Sequence, residues 1–154
     1  MKLWNIAVPI LAAMIALALP LTALAHCQIP CGIYDDQARF DLLQEHITTI
    51  EKSMKLITDL SAASEMNYSQ IVRWVGNKED HAEKFMTIVT DYFMAQRIKP
   101  VEVEGDGYAT YQKKVELLHQ MLVYAMKCKQ TVEGSHTVKL SQLLEDFKKI
   151  YLAQ

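Results

Sequence analysis

The sequence lacks several features that would assign it to a common functional class. Its 154 residues carry a formal net charge of −2 and contain no long basic run, so neither a nucleic acid nor an anionic membrane surface is the expected partner. Strand alternation, internal repeats and low-complexity tracts are also missing. The three cysteines are an odd number, so a framework built only of disulfides cannot account for all of them.

The amino terminus has the pattern of a secretory signal peptide. Lys2 provides a positive charge, and residues 6–19 form an apolar run. Ala23-Leu24-Ala25 then offers the small-x-small site after which a signal peptidase cleaves. The run is shorter than the roughly 20 apolar residues of a membrane span, so no stable membrane anchor is expected. We therefore predict that residues 1–25 are removed and that the protein is exported, to the periplasm or the extracellular space.

The rest of the chain has the apolar periodicity of helices. Stripes with spacings of three and four predict helices over about residues 36–64, 68–99, 108–130 and 137–152. Their apolar positions are Phe40, Leu43, Ile47, Ile50, Met54 and Ile57, then Tyr68, Val72, Val75, Ala82, Met86, Val89 and Phe93, then Val115, Leu118, Leu122 and Ala125, and finally Leu140, Leu144, Phe147 and Tyr151. One domain with these elements is predicted to be all-α, an up-down four-helix bundle preceded by an irregular amino-terminal segment.

Local signals define the ends of these helices. Asp35 or Asp36 can cap the start of the first helix. Gly76 and Asn77 interrupt the second helix and allow a local bend, and Pro100 ends it. In the third helix Cys128 is expected to be a buried, inert thiol, because free cysteine is commonly buried.

A candidate metal site follows directly after the predicted cleavage point. Once His26 is the first residue, a free amine, an imidazole and two thiols lie within six residues. The amine of His26 and the deprotonated amide nitrogen of Cys27 would close one five-membered chelate ring, and the Cys27 thiolate would close a second. Cys31 can supply the fourth in-plane donor. A plane of two nitrogens and two sulfurs suits nickel(II) or copper(II) better than zinc, which prefers a tetrahedron.

The residues around these donors fit a tight chain reversal. Pro30 and Gly32 favour it, because an X-Pro bond can be cis and glycine accepts dihedral angles that a side chain forbids. Tyr34 could return its hydroxyl toward the open face of the metal. The alternative is a small disulfide loop between Cys27 and Cys31, which is ordinary in an exported protein.

The run His-Cys-x-x-Pro-Cys-Gly-x-Tyr at residues 26–34 resembles the nickel hook of the nickel-containing superoxide dismutases. The resemblance implies one nickel ion per subunit, bound by the amine and imidazole of His26, the amide nitrogen and thiolate of Cys27, and the thiolate of Cys31. It implies that Tyr34 gates the substrate pocket. It also implies that residues 26–154 are one such domain, with the hook at 26–34 and a four-helix bundle at 35–154, assembled as a homohexamer. Further support comes from Arg73, Lys78-Glu79 and Asp91-Tyr92-Phe93.

The chain departs from this family at the surroundings of the metal. Gln28 stands where the best-known members have an acidic residue. Those members hold the axial imidazole with a glutamate that is paired with an arginine. The glutamate position corresponds here to Asp41, and the arginine position falls near His81, with Arg73 two helical turns earlier. Asp41 is our first choice, since a carboxylate would fix the tautomer of the imidazole and strengthen it as a donor.

The resemblance implies that the protein converts superoxide to dioxygen and hydrogen peroxide by Ni(II)/Ni(III) cycling. One alternative is an exported nickel- or copper-binding helical bundle that does not catalyse a reaction. Another is a bundle used only for protein contacts, with Cys27 and Cys31 joined in a disulfide. His46, His119 and His136 have no partner spacing for a second metal site, and polar-core or surface roles are expected for them.

Overall fold

The computed structural model describes residues 32–153. The predicted signal peptide and the predicted ligands His26, Cys27 and Cys31 lie outside the described residues. The described chain contains four α-helices and one π-helical segment and no strand, which confirms the all-α prediction. In chain order the elements are α1 (Asp36–Ser61), α2 (Tyr68–Thr87), the π segment (Ile88–Arg97), α3 (Tyr108–Gln130) and α4 (Ser135–Leu152).

Helix α1 forms much as its sequence predicts. Of the two candidate caps, Asp35 takes the role, because its carboxylate accepts a hydrogen bond from the backbone N–H of Ala38 at 3.0 Å. Asp36 is therefore the first helical residue. The six apolar residues of the predicted stripe are all buried. The helix ends at Ser61, slightly before the predicted end at Ser64.

The second predicted helix differs from its prediction in regularity. It continues without interruption through Gly76 and Asn77 as α2, although these residues allow a local bend. The irregularity comes later, at Ile88, where the α-helix changes to the π segment. The π segment ends at Arg97, where the backbone N–H of the next residue, Ile98, bonds to the carbonyl of Phe93 at 2.9 Å.

The predicted burial of the first residues of α2 is wrong. Tyr68, Val72 and Val75 are 68%, 69% and 39% exposed. The residues that α2 does bury, Lys78, Ala82 and Phe85, all lie in its carboxyl half. The amino half still contacts α1 through Trp74 and Asn77, so the face that carries Tyr68, Val72 and Val75 is the one that no helix covers among residues 32–153.

The helices pack as the predicted four-helix bundle. α1 packs against α2 and α4, and α3 packs against the same two helices. Along the α1–α2 interface His46 faces His81 and Ser53 faces Asn77, so these two helices are antiparallel. The rings of Phe40, Phe93 and Phe147 pack together in the core with centroids 5.0 to 5.9 Å apart. None of the helices within residues 32–153 combines the length and apolar character that a membrane crossing needs.

A buried lysine caps the carboxyl end of α3. Lys78 is 3% exposed, and its ammonium donates hydrogen bonds to the carbonyl of Cys128 at 2.7 Å and to that of Lys129. These carbonyls belong to the last turn of the helix, which has no intrahelical donors for them. The Cys128 thiol is free and fully buried, and burial raises its pKa to about 11. The prediction of a buried cysteine is confirmed.

Candidate metal centre

The described chain begins directly after the last predicted ligand, Cys31, and its first residues lie against the π segment. Gly32 has a φ of 80°, in the left-handed region that glycine occupies easily. The ring of Tyr34 meets that of Tyr92 edge to face, with centroids 5.9 Å apart. The guanidinium carbon of Arg97 stands 4.3 Å from the centroid of the Tyr34 ring, within cation–π distance. Tyr34 is thus held by two side chains of the π segment and is still 38% exposed.

Asp36 lies at the centre of a hydrogen-bond cluster at this end of the bundle. Its Oδ1 accepts from the Tyr92 hydroxyl at 2.6 Å and from Arg97 Nε at 2.8 Å. Its Oδ2 accepts from Arg97 Nη2 at 2.7 Å and from the Tyr151 hydroxyl at 2.8 Å. The Arg97 contact is therefore bidentate, the geometry that gives strong charge-assisted hydrogen bonds. We call Asp36, Tyr92, Arg97 and Tyr151 the Asp36 cluster; it joins α1, the π segment and α4.

The protonation of the Asp36 cluster follows from these contacts. Burial raises the pKa of Asp36, but the hydrogen bonds from Arg97, Tyr92 and Tyr151 outweigh burial, and the pKa lies below its ordinary value. Burial and the hydrogen bond to Asp36 raise the pKa of Tyr151 to about 12 and that of Tyr92 well above its usual range. The hydrogen bond to Asp36 also raises the pKa of Arg97. At neutral pH the cluster therefore holds one carboxylate, one guanidinium and two neutral phenols that act as donors.

Asp41, Arg73 and His81, which are predicted to surround the metal, each contact different residues. Asp41 is exposed and accepts a hydrogen bond from Gln37 Nε2 at 2.7 Å. Arg73 is exposed and lines a shallow cleft of about 360 Å³ on the surface of α2. Nδ1 of His81 lies 3.0 Å from Nδ1 of His46. Asp41, Arg73 and His81 share no hydrogen bond or ion pair in the part of the chain that the structure describes. Their role toward the imidazole of His26 stays a prediction.

The pair His46 and His81 is a polar contact within the α1–α2 interface. At 3.0 Å one Nδ1 must donate its hydrogen and the other must accept it. Burial, and then the charge of His81, lower the pKa of His46 below its ordinary value. His46 is only 8% exposed and so occupies the polar-core position expected for it. No group of three or more histidine, cysteine, aspartate or glutamate side chains within residues 32–153 is placed to hold a metal ion.

Sequence reasoning missed most of the Asp36 cluster. In the sequence Asp36 is a candidate cap, Tyr151 lies on an apolar stripe, and Arg97 belongs to no recognisable pattern. One signal was present: Tyr92 and Tyr151 belong to otherwise apolar surroundings, and a buried tyrosine hydroxyl needs a hydrogen-bond partner. Two such hydroxyls near helix ends could have indicated a shared carboxylate.

Comparison with known proteins adds an independent observation. A family model described as nickel-containing superoxide dismutase matches residues 21–154. The match is one continuous range that includes the His-Cys-x-x-Pro-Cys-Gly-x-Tyr run and all four helices. No curated protein and no solved structure matches the chain significantly.

Proposed function

The chain belongs to the nickel-containing superoxide dismutase family, and from this premise we propose that it removes superoxide with a nickel ion held by residues 26–31. At the level of the family its activity is that of a superoxide dismutase, its cofactor is nickel and its substrate is superoxide. The observation that carries the proposal is that the family match spans a donor set whose chemistry suits nickel.

The donor set fits the ion for a chemical reason. The thiolates of Cys27 and Cys31 and an amide nitrogen are electron-rich donors of the kind that would suit nickel(II). A bound nickel ion would supply a one-electron Ni(II)/Ni(III) couple able to oxidise one superoxide to dioxygen and to reduce another, with two protons, to hydrogen peroxide. The His26 imidazole would be a further donor to the ion, with Asp41 as its proposed carboxylate partner.

The described residues would support this site by holding Tyr34. Arg97 and Tyr92 both contact its ring, and Asp36 in turn accepts hydrogen bonds from both of those residues. The Tyr34 hydroxyl makes no hydrogen bond with any other residue in the described range. It is therefore free to face residues 26–31, which end three residues before it. We assign Tyr34 the role of gating the approach of superoxide.

Processing, location and assembly belong to the same proposal. The α-amine of His26 exists only if residues 1–25 are removed, so cleavage after Ala25 is a requirement of the ligand set. Cleavage by a signal peptidase would place the mature protein in the periplasm or the extracellular space. Assembly as a homohexamer is proposed from the family resemblance.

The experiment compares two proteins that differ at the amino terminus. In the first, His26 is the true first residue; in the second, one alanine precedes it. We expect the first to bind one nickel ion per chain and to remove superoxide, and the second to lose planar nickel binding because the amine donor has moved away. A trivalent nickel signal in the first would separate a redox enzyme from a metal carrier. A processed, nickel-loaded protein without activity, or full activity in the extended protein, would refute the proposal.

A further inference from the structure

A second concave site lies between the end of the π segment and the start of α3. It is a cleft with a volume of about 590 Å³. Its lining includes two members of the Asp36 cluster, Arg97 and Tyr151. Further lining residues are Lys99, Asp106, Thr110, Tyr111 and Lys114. The predicted nickel ligands are not needed to form it.

The most unusual residue of this cleft is Lys114. It is 4% exposed, yet it makes no hydrogen bond or ion pair with any residue between 32 and 153. Its recorded contact is with the ring of Tyr151, whose centroid lies 5.6 Å from the ammonium nitrogen. Burial lowers the pKa of Lys114. The stem of Lys114 is thus buried, while its ammonium group reaches the cleft without an anionic partner from the described residues. A partly desolvated, unpaired ammonium group favours a negative charge beside it.

The amino end of α3 adds a second positive feature to the same cleft. This helix of 23 residues begins at Tyr108, and its N-cap residue is Gly107, with a φ of 87°. No side chain caps the helix, and its first turn contains no acidic residue. The first N–H groups of a helix and the positive end of its dipole attract anions. Gly107 and Thr110 line the cleft, so this end of α3 borders the space that Lys114 also borders.

The remaining charges leave the cleft positive overall. The charge of Arg97 is already balanced by Asp36, whose Oδ2 lies 2.7 Å from Arg97 Nη2. Lys99 and Lys114 are opposed by one carboxylate, that of Asp106. The hydroxyls of Tyr111 and Thr110 are available as neutral donors.

We propose that this cleft binds a small oxyanion of the phosphate class, with Lys114 and the amino end of α3 as its main contacts. The two contacts come from the same helix, which sets their spacing rigidly. The proposal is independent of the nickel chemistry, because none of the residues that carry it is a proposed ligand of the metal.

The test is a titration of the full chain with inorganic phosphate against chloride at constant ionic strength. We expect saturable amide chemical-shift changes in residues 108–111, together with a melting temperature that keeps rising with the logarithm of the phosphate concentration. Lys114→Met should weaken phosphate binding by about tenfold or more, the loss expected when a hydrogen bond to a charged group is removed. Asp106→Asn should tighten it, because a repelling carboxylate is removed.

The controls separate binding from folding. Lys113→Met changes the adjacent lysine of the same helix, which is exposed and paired with Glu116 at 3.0 Å, and should leave phosphate binding unchanged. If Lys114→Met unfolds the protein, Lys99→Gln on the rim of the cleft replaces it and should also weaken binding. The absence of a saturable response, or equal binding by wild type and the folded variant, would overturn the proposal. Nickel content and superoxide removal, measured on the same samples, report on the proposed function separately.

Discussion

Replacing Asp36 with asparagine tests how much the Asp36 cluster contributes to stability. The carboxylate accepts four hydrogen bonds, two from Arg97 and one each from Tyr92 and Tyr151. Asparagine keeps one acceptor oxygen, and its NH2 group would face these donors. Hydrogen bonds to charged groups contribute about 1.5–3 kcal/mol each. The Asp36 and Arg97 side chains are 22% and 28% exposed, so water can replace part of the lost interactions. We therefore expect Asp36→Asn to lower the free energy of unfolding by about 2–4 kcal/mol in total.

The assay is urea unfolding followed by circular dichroism at neutral pH. Asp41→Asn is the matched control, because Asp41 lies on the same helix, is exposed and accepts a single hydrogen bond from Gln37. That variant should change the free energy of unfolding by less than about 0.5 kcal/mol. If Asp36→Asn were no more destabilising than the control, the cluster would not be a stabilising unit.

The same variants predict a pH dependence with a defined sign. The pKa of Asp36 in the folded protein lies below its ordinary value of 3.8. Its contribution to stability is therefore complete at pH values well above 3.8 and is lost as the pH falls through the folded-state pKa. The difference in unfolding free energy between wild type and Asp36→Asn should shrink as the pH is lowered toward and below that pKa. A difference that stays constant into acid would contradict the assigned ionisation.

Two further predictions concern the carboxyl end of α3. Lys78→Met should lower the free energy of unfolding by about 1–3 kcal/mol, because the carbonyls of Cys128 and Lys129 lose their donor. Urea unfolding measures this change. The control is Lys55→Met, at an exposed lysine, which should lower the free energy of unfolding by less than about 0.5 kcal/mol. The Cys128 thiol, fully buried with a pKa of about 11, should resist alkylation in the native protein at pH 8 and react once urea unfolds it. Native-state labelling as fast as that of a free thiol would contradict the burial of Cys128.

The sequence predicted the parts of the fold that local periodicity determines. The stripe from Phe40 to Ile57 is buried throughout, and α3 has the predicted bounds of residues 108 and 130. These features are predictable because a repeated spacing of three and four indicates which face of a helix packs against the core. Periodicity does not record which neighbour is present. The stripe at Tyr68, Val72 and Val75 has the right spacing but lies where no described helix covers it.

Of the candidate site, the sequence alone can indicate only the donor atoms and their order along the chain. The donor types and their spacing in residues 26–34 could be read directly, since chelate rings depend on neighbouring atoms. The Asp36 cluster joins residues 61 and 115 positions apart, as in the bonds of Asp36 to Arg97 and to Tyr151, and helix patterns carry no information about such pairings. The π segment that brings Arg97 to Asp36 has no simple sequence signature either.

The hydrogen bond between Asp36 and Tyr151 has a consequence for the order in which the protein matures. It closes a loop of 115 residues, and contacts of such long range form late, because the chain entropy of closing the loop opposes them. A nascent chain that has not yet docked α4 therefore lacks part of the support beneath Tyr34. We expect the amino-terminal segment to be held in place only after the last helix has folded, so that metal loading follows completion of the bundle.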